Sequence, residues 1–323
     1  MSVMAITRQL LLSEVRDTLV HAGYCASEPL DPWAATFDLV ARRDQSLLVV
    51  KVLTNIDRLS KASADLLRSV ASTLSAAPLV VGLRTSRGEL ETGVLYLRHA
   101  VPILSLETLK EHLLEGVPPF VFAGPGGQYV SLDGDALART RNDRGLSLAE
   151  IAEAAGVSRR TVSMYEQGMA AQVETARRLE RFLRIPLVKA LDPLTTSPEL
   201  EERRTVLSGL QEIEHDVFSR LQGLGYRVLP TTGCPFDALS SAKRNVFLTA
   251  VKAGEPDLQT RVRARTIAQI ARVAERESVL FVERDIDRTQ LEGTAVIGRK
   301  ELERIGDPEE ILRLIRERGG RQC

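Results

Sequence analysis

Within the run GVSRRTVSMYEQG, four side chains could read another molecule's surface atom by atom: Arg159, Arg160, Thr161 and Ser163. A guanidinium donates two parallel hydrogen bonds to O6 and N7 of guanine. A Thr or Ser hydroxyl donates to or accepts from a base edge, and a Thr methyl fits against thymine. Such groups read bases only when one helix carries them together, so the local signals that would form that helix decide the matter. Ser147 to Glu150 reads S-x-x-E, a capping box that satisfies the free N–H groups at the start of a short helix whose inner face is Ile151, Ala152 and Ala155. Gly156 supplies a position that accepts φ > 0, Val157 turns to the core, and Ser158 caps a second helix with Val162 and Tyr165 inward. Two helices meeting across a tight turn let the second enter a major groove while the first crosses the backbone. The candidate DNA-contacting set is Ser147, Ser158, Arg159, Arg160, Thr161 and Ser163, and the partner these side chains suit is double-stranded DNA.

The segment LSLAEIAEAAGVSRRTVSMYEQG, followed by VETARRLERFLRI and PLVKALDPL, resembles the Cro/CI-type helix-turn-helix family over about 60 residues. The resemblance implies a five-helix bundle, a third helix that recognises DNA, and a homodimer on two-fold related half-sites. One position departs: Leu148 stands where the family often places a phosphate-contacting Gln, which leaves that contact to Arg141, Arg144 or backbone N–H groups. Residues 133–192 hold ten Arg or Lys against nine Asp or Glu, so DNA affinity requires the charges to be sorted by face.

Two Pro-containing stretches, PPFVFAGPGGQY and LDPLTTSPEL, punctuate the chain. They suggest an outer domain at 1–120, a linker at 121–132, the helix-turn-helix at 133–192, a linker at 193–204 and a second outer domain at 205–323. The outer pieces repeat one another. Val15, Leu19, Gly23 and Tyr24 match Val217, Leu221, Gly225 and Tyr226. FDLVARRDQSLLVVKV matches FDALSSAKRNVFLTAVKA, and PLVVGLR matches SVLFVER, all at offsets of 199 to 202. The expected fold class is α/β plus all-α, a five-helix bundle between two duplicated αββαβα domains. A helix, then a hairpin with an acid on one strand and a Lys on the next, then helix and strand, resembles the PD-(D/E)xK restriction-endonuclease-like fold. In its active members the Asp and an acid two residues before the Lys hold a divalent metal, and the Lys activates water. This chain keeps Asp38 with Lys51 and Asp237 with Lys252, but has Val49 and Ala250 where the second acid belongs; Glu14 is the neighbouring acid that could compensate. The resemblance therefore implies degenerate sites with no metal, no cofactor and no catalytic residue.

The whole chain supports this reading. Its 323 residues suffice for several cores, and 43 basic residues balance 43 acidic ones, which excludes a global field drawing it to nucleic acid or a membrane. Cys25, Cys234 and Cys323 share no metal-ligand spacing and read as reduced. Charges interrupt every apolar run, so no signal peptide or membrane span is expected and the protein should be cytoplasmic. The sequence thus predicts a non-enzymatic, dimeric transcriptional regulator. The competing readings are a metal-dependent nuclease or junction-binding protein targeted by the helix-turn-helix, and an antitoxin-like interaction protein. No motif identifies a small-molecule effector.

Overall fold

A computed structural model describes residues 7–30, 36–195, 210–243, 245–284 and 288–319. The expected linker 193–204 lies outside the described residues from 196 onward. The chain divides into two compact units, one of Met1–Val52, Ser60–Pro78 and Thr196–Cys323, the other of Leu53–Leu59 and Leu79–Thr195.

In the first unit, α1 (Arg8–His21) begins at the Thr7 cap and buries Leu11, Leu12, Val15 and Leu19. Gly23, at φ +83°, turns the chain into β1 (Cys25–Ala26). That strand pairs antiparallel with β2 (Leu39–Arg43), which forms a hairpin with β3 (Ser46–Asn55), Leu39 opposite Val50. Next comes α2 (Lys61–Leu74), capped by Ser60. In the second unit, β4 (Ala77–Arg84) runs parallel to β6 (Val101–Ser105), β5 (Val94–Arg98) pairs antiparallel with β6, and α3 (Leu106–Lys110) follows.

The stretch 121–132, expected as a linker, is a hairpin of β7 (Val121–Gly124) and β8 (Gly127–Leu132), turned by Gly126 at φ +84°. β7 lies parallel to β5, so the second unit's sheet continues through the hairpin. Beyond it come α4 (Gly134–Asp143), α5 (Leu148–Ala155), α6 (Arg159–Glu166), β9 (Ala171–Gln172), α7 (Val173–Leu183) and β10 (Val188–Lys189). Val130 and Leu132 of β8 share one core with Leu137, Ile151, Val162, Leu179 and Leu183. The expected fifth helix is absent among the described residues of this module. Glu180 accepts hydrogen bonds from the N–H groups of Leu187 and Val188, at 2.7 and 3.0 Å, and β10 pairs with β8 instead of coiling.

The remaining elements are α8 (Glu212–Gly223), β11 (Arg227–Pro230), β12 (Ala238–Ala242), β13 (Asn245–Lys252), α9 (Leu258–Ala274), β14 (Glu277–Val282), β15 (Gln290–Leu291), β16 (Thr294–Gly298), α10 (Arg299–Arg304) and α11 (Pro308–Arg318). Their sheet runs β11-β12-β13-β14-β16-β15 over a core that includes Phe218, Phe247, Phe281 and Ile297. Here β14 is parallel to β16 and β15 antiparallel to it, the pairing also made by β4, β6 and β5. Left-handed residues recur in step, Gly23 with Gly225, Asp44 with Lys243, Ser75 with Glu275. The two element sets also touch within the first unit. Arg42 donates to the Ala274 carbonyl at the end of α9, and Arg276 donates to the Leu74 carbonyl at the end of α2. Phe37 and Phe236 lie with ring centroids 6.2 Å apart, and Thr36 bonds to Gly233 and Thr232.

Candidate nucleic-acid interface and the outer carboxylates

The helix pair is built by the local signals in its sequence. Ser147 Oγ accepts from the Glu150 N–H at 3.2 Å, and Glu150 accepts from the Ser147 N–H at 2.8 Å, closing both halves of the capping box on α5. This holds the Glu150 carboxyl below the usual carboxylate range, the Ser147 N–H being the main cause. Gly156 ends α5 at φ +71°, and a Cβ there would stand 2.9 Å from the Arg178 guanidinium. Ser158 Oγ then accepts from the Thr161 N–H at 3.1 Å and starts α6. At the other end of α6, Gly134 permits α4 to approach so closely that a Cβ would lie 2.4 Å from the Glu166 carbonyl oxygen. Arg141 of α4 clamps Glu166 of α6 through two hydrogen bonds of 2.6 and 3.2 Å.

That clamp corrects one expectation. Arg141 is half of an ion pair whose side chains are only 18% and 15% exposed, so it is engaged in holding α4 on α6 and is not offered to a phosphate. Arg144, exposed at the end of α4, makes no such bond. The six candidate contact residues also separate. Ser147 and Ser158 cap helices, the Thr161 hydroxyl lies 2.8 Å from that of Ser158, and Ser163 Oγ accepts from Gln167 at 3.3 Å. Arg159 and Arg160 are exposed and make no side-chain hydrogen bond or ion pair among the described residues.

The near-neutral count conceals a sorting of charge by partner. Asp133 caps α4 and Asp192 accepts from the Leu194 N–H. Glu180 serves the two N–H groups before β10, Glu166 holds Arg141, and Glu174 lies 3.5 Å from Arg178. The acids are thus mostly turned to the module's own backbone and arginines. Arg144, Arg159, Arg160, Arg177, Arg181 and Arg184 are exposed without such a partner among the described residues. Sequence counting missed this because it cannot tell a carboxylate that caps a helix from one that faces water.

The outer carboxylates present the opposite arrangement. Asp38 is fully buried; its Oδ2 accepts from the Val52 N–H at 2.6 Å and its Oδ1 is paired with Arg8 of α1. Burial pushes the Asp38 carboxyl up, opposed by the Val52 N–H, then Lys51 and Arg8. Burial likewise pulls Lys51 down, opposed by Asp38. Asp237 repeats the pattern with other donors: Oδ2 accepts from Val251 at 2.8 Å and Oδ1 from Arg263 of α9 at 2.6 Å. The two lysines are not equivalent. Lys51 follows Val50, the residue opposite Leu39, whereas Ala250 follows Thr249, the residue opposite Ala238. Lys252 stands two residues further along and pairs with the α9 cap Asp257 at 2.9 Å. Cys234 lies buried between the sets, its thiol pushed up to about 11 by burial.

A divalent metal does not fit these residues. Each Asp already has one oxygen on a backbone N–H and the other on a guanidinium, and Val49, where a second acid would be needed, is fully buried. Mg²⁺ requires several oxygen ligands, and the cationic charge at Asp38 is already supplied by Arg8 and Lys51. Among the described residues no group of three or more His, Cys, Asp or Glu could hold a metal ion, and no helix is long and apolar enough to cross a membrane.

Residues 8–119 match the PD-(D/E)XK superfamily domain, and residues 137–189 match a helix-turn-helix domain. A protein of Halorubrum lacusprofundi described as "Putative HTH-type transcriptional regulatory protein" is 38% identical over 318 residues, covering 97% of this chain and 98% of its own. Proteins with the same description from Natronomonas pharaonis and Methanosarcina barkeri are 36% and 35% identical, each over 97% of this chain and 99% and 98% of their own. No solved structure matches the chain.

Proposed function

This chain belongs to the family of HTH-type transcriptional regulatory proteins, and from that premise we propose that it is a cytoplasmic, sequence-specific DNA-binding regulator acting as a homodimer on a two-fold related operator. The observation that carries this reading is the pair of unpartnered guanidiniums, Arg159 and Arg160, at the exposed start of a capped α6 whose other face is core. In this reading α6 lies in the major groove, Arg159 and Arg160 reach guanine edges or phosphates, and the capped start of α5 lies on the backbone. A helix of eight residues spans few base pairs, so two copies of the module are required for an operator-length site.

The outer regions, 1–120 and 205–323, are duplicated nuclease-like domains that no longer cut. What supports duplication is the recurrence of strand pairing, of positive-φ positions and of the Asp that takes a backbone N–H and a guanidinium. What supports the loss of cleavage is that arginine holds each carboxylate where the active members of the fold hold a metal. The central module, 133–192, works together with the hairpin that completes its core.

Selection of fragments bound by the full chain from random duplex DNA, in the presence of Mg²⁺, tests the proposal. A two-fold related motif recovered on uncut DNA is expected, and the Arg159→Ala, Arg160→Ala double variant should recover none. Failure of the wild type to enrich any motif overturns the DNA-reading proposal. Cleavage that disappears in Asp38→Ala overturns the loss of nuclease activity.

A further inference from the structure

We infer that Arg177, Arg181 and Arg184 form a second phosphate-binding surface, a rail along α7 that grips the DNA backbone independently of the bases read by α6; this rests on the DNA-binding reading above. Arg177 and Arg181, four residues apart, stand on one side of α7, with Ala176, Leu179 and Leu183 buried on the other, and Arg184 follows as the left-handed cap that ends the helix. All three are exposed and make no side-chain hydrogen bond or ion pair among the described residues. The helix's two acids do not neutralise them, since Glu174 is on Arg178 and Glu180 is on the Leu187 and Val188 N–H groups. A row of exposed guanidiniums without acidic partners is free to neutralise phosphates and release their counterions.

At a rise of about 1.5 Å per residue the row extends roughly 10 Å, which spans about three phosphates of one strand at an axial spacing of about 3.4 Å. Guanidinium also matches phosphate oxygens in a bidentate fork, which suits it to this surface better than a lysine stripe would. The Arg178 guanidinium stands close to Gly156 in the turn before α6, and α5, α6 and α7 bury Ile151, Val162 and Leu179 in one core. The rail is thereby held in fixed relation to the helix that reads bases. A duplex backbone is the occupant that charge complementarity selects.

The test uses the full chain and the operator motif returned by selection. The slope of log affinity against log salt is compared between wild type and the triple variant Arg177→Gln, Arg181→Gln, Arg184→Gln. The expected result is a slope shallower by about 2 to 3 and affinity at least about tenfold weaker at low salt, with the selected motif unchanged. The Arg→Lys triple variant should recover most of the slope while binding more weakly than wild type, since charge remains and the fork is lost. Thermal melting of the Gln variant should match wild type, because none of the three side chains supports the fold. An unchanged slope overturns the rail. So does a change in sedimentation with the slope intact, which would assign the face to contact between copies. If the wild type binds no DNA, the reading beneath the rail fails first, and the two failures are distinguishable.

Discussion

Arginine does opposite work in the two parts of this chain. In the outer regions four arginines are turned inward: Arg8 and Arg263 hold Asp38 and Asp237, while Arg42 and Arg276 take the carbonyls that end α9 and α2. In the helix-turn-helix module most of the acids are engaged instead, on caps, backbone N–H groups, Arg141 and Arg178, and Arg159, Arg160, Arg177 and Arg181 of α6 and α7 are left to solvent. A net charge of zero is therefore no guide to where the chain can bind a polyanion. What matters is which sign of charge the fold has already neutralised, because an engaged guanidinium cannot release counterions from DNA.

The contrast breaks first at α6 if it is wrong. Each guanine contact by a bidentate Arg contributes about 1 to 3 kcal/mol of discrimination, so Arg159→Ala and Arg160→Ala should each weaken operator binding by about 10- to 100-fold. Denaturation midpoints should not move, because neither side chain has a partner to lose. A loss of stability in either variant, followed by urea titration, would mean these arginines serve the fold as the outer ones do.

The inward-turned arginines predict the reverse pattern. Asp38→Ala leaves Arg8 and Lys51 around a fully buried gap and should cost about 3 to 5 kcal/mol in urea denaturation. Asp237→Ala should cost less, about 1 to 3 kcal/mol, because that carboxylate is 20% exposed and no lysine stands in the register of Lys51. Equal losses would show the two sites to be energetically alike, and operator affinity measured under folded conditions should be unchanged by either. A smaller effect of a different kind belongs to Gly134→Ala, where the new methyl meets the Glu166 backbone. About 1 to 3 kcal/mol of destabilisation is expected, because backbone cannot swing aside as a side chain can.

Much of this was legible in the sequence where one short segment determines its own structure. The capping box of Ser147 and Glu150, the left-handed Gly156 and the Ser158 cap are local chemistry, and the helices lie where those signals put them. What failed to show was set by partners far along the chain. Residues 121–132 read as a linker because Pro and Gly interrupt them, yet pairing with β5, β9 and β10 makes them strands. The family resemblance implied a fifth helix, yet Glu180, earlier in the chain, draws the N–H groups of Leu187 and Val188 into an extended path. Lys252 read as the counterpart of Lys51 because each hairpin segment starts with Phe-Asp and ends near a Lys, and only the register of the hairpin separates them. The guanidiniums on Asp38 and Asp237 come from α1 and α9, at separations of 30 and 26 residues that no spacing rule anticipates.

The smallest effect sharpens the comparison through pH. Ser147→Ala removes the acceptor for the Glu150 N–H and should cost about 1 kcal/mol, read by thermal melting or urea. Two carboxylates then move stability in opposite senses. Glu150 is held below the usual range by the Ser147 N–H, so its contribution is present above the ordinary carboxylate value and is lost as pH falls through the lowered one. Asp38 is pushed above that range by burial, so its titration favours the fold below the ordinary value and that contribution is lost as pH rises through the raised one. Acidification should therefore loosen the start of α5 in the helix-turn-helix while sparing the hairpin around Asp38. Hydrogen exchange followed region by region from neutral pH to well below the ordinary carboxylate range reads both. If the hairpin amides near Val52 open before those of α5, the Val52 N–H, Lys51 and Arg8 hold the Asp38 carboxylate ionised against its burial, and the raised titration is overturned.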